Sequence, residues 1–353
     1  MSAPVLRRSY IRLGPFTRPQ RRPGLQRQHQ PATTTYRLAS KVALPEPYET
    51  MTLPDGRTLS WAETGDPYGD PLFYFHGMPG SRLEAFDFEG VARRLGIRFI
   101  APDRPGFGRS TFYSDRVVTD WPHDVQNLAH HLGIDRYAVL GCSGGGPYAL
   151  ACARVIPATT LTGFGLVSSA GPCEASPKRW RVPFDPFDPV ETPFPSLSAW
   201  IYEQKVGFLV RDTFNAAGRK YWDEMMAREA KQYLRPGEVV PELPPEKKTP
   251  EAIAARREWE MRLLVEPIAE GARGLLREAY LLKTPWGFRL EDVKYEPKVR
   301  IFHGAKDENV PISMINYMRE RLPHYLMKVR ANDNHYSIWD YRDDMLTRIM
   351  KCL

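Results

Sequence analysis

Cysteine is scarce in this sequence. Four occur among 353 residues, Cys142, Cys152, Cys173 and Cys352, and no two form a CxxC pair. That spacing excludes a disulfide scaffold and a zinc site of the usual ligand pattern. Long apolar runs are missing as well. A helix that crosses a bilayer needs roughly 18 or more consecutive apolar residues, and runs such as LTGFGLVSSAG have strand length and contain glycine. No transmembrane segment is expected. Acid is wholly absent from the first 45 residues, which carry eight Arg and one Lys before Glu46.

This last absence explains the charge. The net charge is +7, but beyond the first 45 residues 40 basic face 42 acidic side chains. The remainder is close to neutral and gives no electrostatic footprint for a nucleic-acid partner. The basic segment is Arg-rich, and on a helical wheel Leu6, Tyr10 and Leu13 fall together opposite Arg8 and Arg12. These are marks of a mitochondrial presequence, so mitochondrial delivery is expected. The alternative is a disordered basic extension on a cytoplasmic protein, because Pro15, Pro19 and Pro23 prevent a long helix.

What is present, at 42% hydrophobic residues, suffices for a large core. From residue 50 onward, short β-rich runs alternate with segments of helical period, the pattern of an α/β sheet. TLSWAETG, PLFYFHG, IRFIAPD, YAVLGC and TGFGLVSSA read as strands. Helices are expected over Ser81 to Leu95, over DWPHDVQNLAHHLGI and over GPYALACARVI. From Gly171 to about Gly287 the alternation stops. A proline-aromatic stretch leads into helical segments, Leu197 to Leu234 and again up to Leu282 across a Pro-rich connector. The α/β rhythm then resumes with KVRIFHGAKDENVP, a helix from Ser313 to Leu322, YLMKVRAND and a closing helix. The expected organisation is a basic segment over 1–45, core over 46–170, a helical cap over 171–287 and core again over 288–353.

Within YAVLGCSGGGPYALACA, Gly-Cys-Ser-Gly-Gly fits G-x-S-x-G between a strand and a helix, the context in which a serine nucleophile is displayed. A serine hydroxyl is a weak nucleophile and needs a general base oriented by a carboxylate. Downstream of Ser143, Asp307 lies three residues past VRIFHG and His335 lies just past YLMKVR, which fills the chain order Ser, acid, His. Asp333 is a rival carboxylate two residues before the histidine. His123 and the His130-His131 pair sit on a helix whose apolar face is complete without them. Cys142, beside the candidate nucleophile, is expected to point away from the site. Glu266, Glu270, Arg273 and Glu278 read as a solvated helix face, from which Arg273 could reach an anionic substrate.

The stretch from about Thr52 to Leu353 resembles the α/β-hydrolase superfamily. HGMPGSR, DRPGFGRS, GCSGGGPYALACA, EGARGLL, PWGF and HGAKDENVP occur in the order found in its capped serine-hydrolase members, related to the proline iminopeptidase and epoxide hydrolase-like branch. The resemblance implies a mostly parallel, eight-stranded α/β sheet flanked by helices, with the cap inserted after the sixth strand. It implies Ser143 as nucleophile, Asp307 as acid and His335 as base. It also implies an oxyanion hole from the backbone N–H groups of Met78 and Gly144. His76 is read as tying its loop down by hydrogen bonds, and DRPGFGRS as shaping the floor of the pocket. Phe184, Phe187 and Trp286 in the cap are candidate substrate-binding side chains.

These residues point to a serine hydrolase that cleaves a carboxylic ester or related acyl bond of a small-molecule substrate and needs no cofactor. An aspartate at the position of Ser143 would give alkyl-enzyme chemistry instead. Proline iminopeptidases share HG.PG but carry Gly where this chain has Met78, which makes an aminopeptidase or amidase the second reading. An acyltransferase of the same fold has the same residues. A ligand-binding protein without turnover is the alternative from another class.

Overall fold

In a computed structural model the described residues are 48–175 and 249–351, with Lys220, Asp223, Glu224, Lys231, Leu234, Arg235 and Glu238 between them. The described residues form one compact unit. Its centre is an eight-stranded sheet. The strands are β1 (Glu49–Thr52), β2 (Thr58–Gly65), β3 (Asp70–Phe75), β4 (Ile97–Pro102), β5 (Tyr137–Cys142), β6 (Leu161–Val167), β7 (Val299–Gly304) and β8 (Tyr325–Arg330). They are ordered β1-β2-β4-β3-β5-β6-β7-β8. β2 runs antiparallel to β1 and β4, and every pairing from β4 through β8 is parallel.

β5 and β6, neighbours inside the sheet, are buried at every position. Parallel strands covered on both faces have no solvent side, so YAVLGC and LTGFGLV read as continuous apolar runs without alternation. Two apolar clusters account for the two faces. The larger joins Phe73, Phe75, Val139 and Leu166 to Trp121, Val125 and Leu128 of the helix Trp121–His131 and to Leu150 of the helix Gly146–Val155. The other packs Leu72, Tyr74, Phe99 and Leu140 against Val91 of the helix Glu89–Arg94 and Leu346 and Ile349 of the closing helix Arg342–Met350.

In chain order these helices are α1 (Glu89–Arg94), α2 (Trp121–His131) and α3 (Gly146–Val155), followed by α4 (Pro250–Val265), α5 (Arg273–Leu282), α6 (Ile312–Arg321) and α7 (Arg342–Met350). Three differences from the sequence reading stand out. The helix expected over Ser81 to Leu95 begins as a 3₁₀ segment over Arg82–Phe88, whose first amides are capped from outside: Arg82 N–H donates to Asp103 Oδ1 at 2.7 Å and Leu83 N–H to Ser81 Oγ at 3.3 Å. The helix expected to run on to Leu282 is broken between α4 and α5, where Pro267 lacks an N–H and Gly271 takes φ +103°. β1 has no counterpart among the expected strands, because ETMT is short and mostly exposed and carries no hydrophobic pattern.

Candidate active site

Ser143 leaves the end of β5, Asp307 follows β7 and His335 follows β8. All three therefore leave the same, C-terminal edge of the parallel strands, where loops of an open α/β sheet converge. Ser143 has φ +48°, the left-handed region, at the turn from β5 into α3. Its carbonyl accepts the Ala170 N–H at 2.9 Å. The neighbouring glycines serve a different purpose from the strained angle. A Cβ on Gly145 would strike the carbonyls of Phe75 and His76, and one on Gly146 would strike the Ser169 side chain. The turn is thus pressed against the β3 loop and the end of β6, and only residues without a side chain fit there.

The loop after β3 lies over this turn. A Cβ on Gly77 would sit 3.5 Å from Ser143 Cβ, and one on Gly144 would sit 3.5 Å from Met78 N. The candidate oxyanion amides of Gly144 and Met78 therefore belong to adjoining backbone segments beside the serine.

His335 donates its Nδ1–H to Asp307 Oδ2 at 2.8 Å. With the proton on Nδ1, the Nε2 atom is left as the basic nitrogen. The other oxygen of Asp307 accepts the Val310 N–H at 2.7 Å, and Asp307 is buried, so both lone-pair sides of the carboxylate are held. Asp333 is employed elsewhere: its Oδ1 accepts from Arg235 Nε at 2.8 Å and from Ser337 Oγ at 2.9 Å. Arg235 belongs to the segment between β6 and β7 and also pairs with Asp340 at 2.7 Å, which ties that segment to the loop that carries His335.

Three supporting residues, His303, Glu84 and Arg104, did not stand out in the sequence, and a fourth, Glu278, read as solvated. His303 is fully buried at the end of β7; its Nε2–H donates to the Val310 carbonyl at 3.1 Å, and burial holds its ring below the ordinary histidine range. It steadies the residue whose amide holds Asp307. Glu84, in the 3₁₀ segment, accepts from Tyr74 Oη at 2.6 Å and from Gly77 N–H at 3.2 Å. Burial raises its carboxyl to about 7, against the lowering by Tyr74, Gly77 and Arg104. Arg104 and Glu278 form an ion pair at 2.9 Å, with both side chains fully buried.

That burial corrects the reading of Glu278 as solvated. α5 turns Glu278 inward with Leu275, Ala279 and Leu282, one face of a helix at i, i+3, i+4 and i+7 spacing. Glu266 is also largely covered and pairs with Arg82 at 2.7 Å, whereas Arg273 is exposed and stacks over Phe112 at 4.8 Å. His123, His130 and His131 lie at the surface of α2. Cys142 is buried in the cluster on the opposite side from α3.

His76 is fully buried. Its Nε2 accepts the Arg104 N–H at 3.3 Å, so its Nδ1 carries the proton and donates to the Gly77 carbonyl at 2.9 Å. Burial, and the Arg104 charge beside it, keep this ring well below the ordinary histidine range and neutral. Phe107 of DRPGFGRS packs with Ile268, Ala272 and Leu275, and Met78, Val265 and Leu276 border that cluster. Trp286 is 4% exposed and lies in the larger core cluster, with its ring 6.0 Å from that of Phe288. Phe184 and Phe187 lie outside the described residues. Among the described residues no three His, Cys, Asp or Glu side chains group to hold a metal ion, and no helix is long and apolar enough to cross a membrane.

The sheet order and the loops at its C-terminal edge define the class: an α/β protein whose candidate chemistry sits on the turns after β3, β5, β7 and β8. The chain matches the alpha/beta hydrolase fold family over residues 70–341 and belongs to that family. It is similar to the proline iminopeptidase of Xanthomonas citri, with 36% identity over 114 residues, 30% of this chain and 36% of that protein. It is likewise similar to a probable proline iminopeptidase of Streptomyces coelicolor, with 32% identity over 142 residues, 35% of this chain and 43% of that protein. The matched region spans less than half the length of these curated relatives. Among solved structures, an esterase from Exiguobacterium antarcticum superposes with a TM-score of 0.55 at 18% identity, over 86% of this chain and 98% of its own. A putative aryl esterase from Burkholderia cenocepacia gives 0.56 at 16% identity, over 86% and 99%. These likenesses are of fold.

Proposed function

We propose that the protein is a serine hydrolase that cleaves a carboxylic ester or related acyl bond. The observation that carries this reading is the His335–Asp307 hydrogen bond at 2.8 Å on the sheet edge that also presents Ser143. In this reading His335 Nε2 takes the Ser143 Oγ proton as Oγ attacks the carbonyl carbon. The Met78 and Gly144 N–H groups hold the oxyanion. Collapse breaks the acyl–oxygen bond, and the leaving alcohol takes the proton from His335. Water then repeats the sequence on the acyl-enzyme and releases the acid. Each oxyanion donor contributes on the order of 10² to 10³ in rate.

The segment between β6 and β7 is read as a cap that sets substrate choice, with the apolar border of Met78, Val265 and Leu276 beside the candidate site. Phe184 and Phe187 belong to the same proposal. The partial similarity to proline iminopeptidases supports a second reading, a peptidase that removes an N-terminal residue. One panel separates them: labelling with a fluorophosphonate probe, then turnover of p-nitrophenyl esters against proline p-nitroanilide. Ester turnover without anilide turnover is the expected result. No labelling of Ser143 would remove both readings.

A further inference from the structure

The Gly77 carbonyl and the Met78 N–H belong to one trans peptide unit; the cis bond lies one residue on, at Met78–Pro79. In a planar trans unit the C=O and N–H point in opposite directions, so whatever fixes one aims the other. Two donors fix the Gly77 carbonyl: His76 Nδ1 at 2.9 Å and Arg104 Nη2 at 3.0 Å. Arg104 Nη1 also donates to the His76 carbonyl at 2.5 Å, so one guanidinium spans two consecutive carbonyls of the loop.

The third edge of that guanidinium is set from another part of the chain. Arg104 Nε donates to Glu278 Oε1 of α5 at 2.9 Å. The second carboxylate oxygen, Oε2, accepts from Arg116 Nη2 and from Tyr148 Oη, each at 2.7 Å. Burial alone would raise this carboxyl; the charges of Arg104 and Arg116, with the Tyr148 hydroxyl, reverse that and hold it below the ordinary range. Two guanidiniums on one carboxylate leave a single net positive charge, out of water, behind the Gly77 carbonyl. A carbonyl that accepts a charged hydrogen bond polarises its peptide unit and makes the N–H at the other end a stronger donor. α5 is seated on the loop that carries Arg104 through backbone: a Cβ on Gly274 would strike the Gly106 carbonyl.

We propose that Arg104 is a positioning residue for the Met78 oxyanion donor, and that Glu278, by setting Arg104, couples α5 to the strength of that donor. This rests on the reading of Ser143 and Met78 as the reacting centre. A purely structural ion cluster would behave differently. It would register loss of Arg104 or of Tyr148 in stability and leave the transition state alone.

The test uses the full chain and three variants. Arg104→Lys keeps a charge but cannot bridge two carbonyls and Glu278 at once. Glu278→Asp keeps the ion pair and draws it back from the loop. Tyr148→Phe disturbs the same cluster without touching the loop. For each, kcat and KM on a p-nitrophenyl ester are measured with the affinity for a trifluoromethyl ketone, which forms a tetrahedral oxyanion adduct. Because the donor is misaimed and not deleted, Arg104→Lys is expected to lower kcat and ketone affinity together by about 10- to 50-fold, less than loss of a whole donor. KM should stay within about twofold, since the oxyanion forms only after binding. Glu278→Asp should show the same pattern more weakly, and it serves as the reporter where Arg104→Lys does not fold. Tyr148→Phe should hold both quantities within about threefold. Folded Arg104→Lys or Glu278→Asp with wild-type kcat and ketone affinity overturns the coupling, as does an equal loss in Tyr148→Phe. A wild-type protein that turns over no ester and takes no serine probe overturns the reading of the site, and the coupling with it.

Discussion

His335 and Asp307 are 28 residues apart in the chain, yet Nδ1 of the one and Oδ2 of the other stand 2.8 Å apart. Asp333, two residues from the histidine, is turned instead to Arg235 and Ser337. Adjacency in sequence is a poor guide here, because a side chain two positions away on the same loop cannot come round to face the ring edge that a neighbouring strand end reaches directly. Asp307→Asn should therefore cost on the order of 10⁴ in kcat, since an amide neither stabilises the imidazolium nor fixes the tautomer. Asp333→Asn should cost less than about 10-fold in kcat and show its effect as a lower Tm. Steady-state kinetics and melting of the two variants check this, and a reversed order would make Asp333 the acid.

Ser143→Ala should abolish ester turnover and fluorophosphonate labelling while leaving the melting transition close to wild type. The substituted atom is a single hydroxyl on a turn held by its backbone and by the close approach of Gly145 and Gly146. Intact-mass spectrometry after probe treatment reads the result. A labelled alanine variant would place the nucleophile elsewhere.

Much of this was legible because the informative residues are punctuation or unbroken apolar runs. Continuous burial of β5 and β6 produced the continuous runs YAVLGC and LTGFGLV, and the glycine cluster marked the turn between β5 and α3. The glycines themselves do not supply the unusual backbone angle. The left-handed angle falls on Ser143 itself, and Gly145 and Gly146 are there for lack of room. Glu278 was illegible for a different reason. A charged residue on an amphipathic helix looks solvated unless its two arginine partners are known, and Arg104 and Arg116 lie 174 and 162 residues away. β1 carried too little pattern to be seen at all.

Trp286→Ala separates packing from substrate choice. Trp286 is nearly inaccessible and belongs to the larger core cluster, so its loss opens a cavity and should destabilise the fold by about 3–5 kcal/mol. Denaturant titration measures that cost. If packing is its whole role, kcat/KM for short, medium and aryl esters falls in proportion with the folded fraction and keeps its ranking. A changed ranking with little loss of stability would return Trp286 to the substrate site.

Glu84 makes stability depend on pH in a direction opposite to that of an ion-paired carboxylate. Its side chain is half-buried beneath the Gly77 loop, and the loss of water around the carboxyl raises it from an ordinary value of 4.5 to about 7. The groups that face it are Tyr74, the Gly77 N–H, Arg104, Asp87 and the Cys142 thiol; the first three favour the anion, Asp87 opposes it, and the balance still lies with the neutral acid. Between pH 4.5 and 7 the unfolded chain gives up this proton while the folded chain keeps it. The contribution to stability is thus complete below about 4.5 and is lost as pH rises through about 7. Glu84→Gln keeps an oxygen for Tyr74 and Gly77 and cannot ionise, and every other titrating group is common to both proteins. The stability of the variant relative to wild type should therefore increase between pH 5 and pH 8, by on the order of 1–2 kcal/mol after allowance for partial exposure. Urea unfolding of both proteins across that range gives the difference directly. A difference that stays flat, or that narrows towards pH 8, would mean that Glu84 is already ionised in the folded protein.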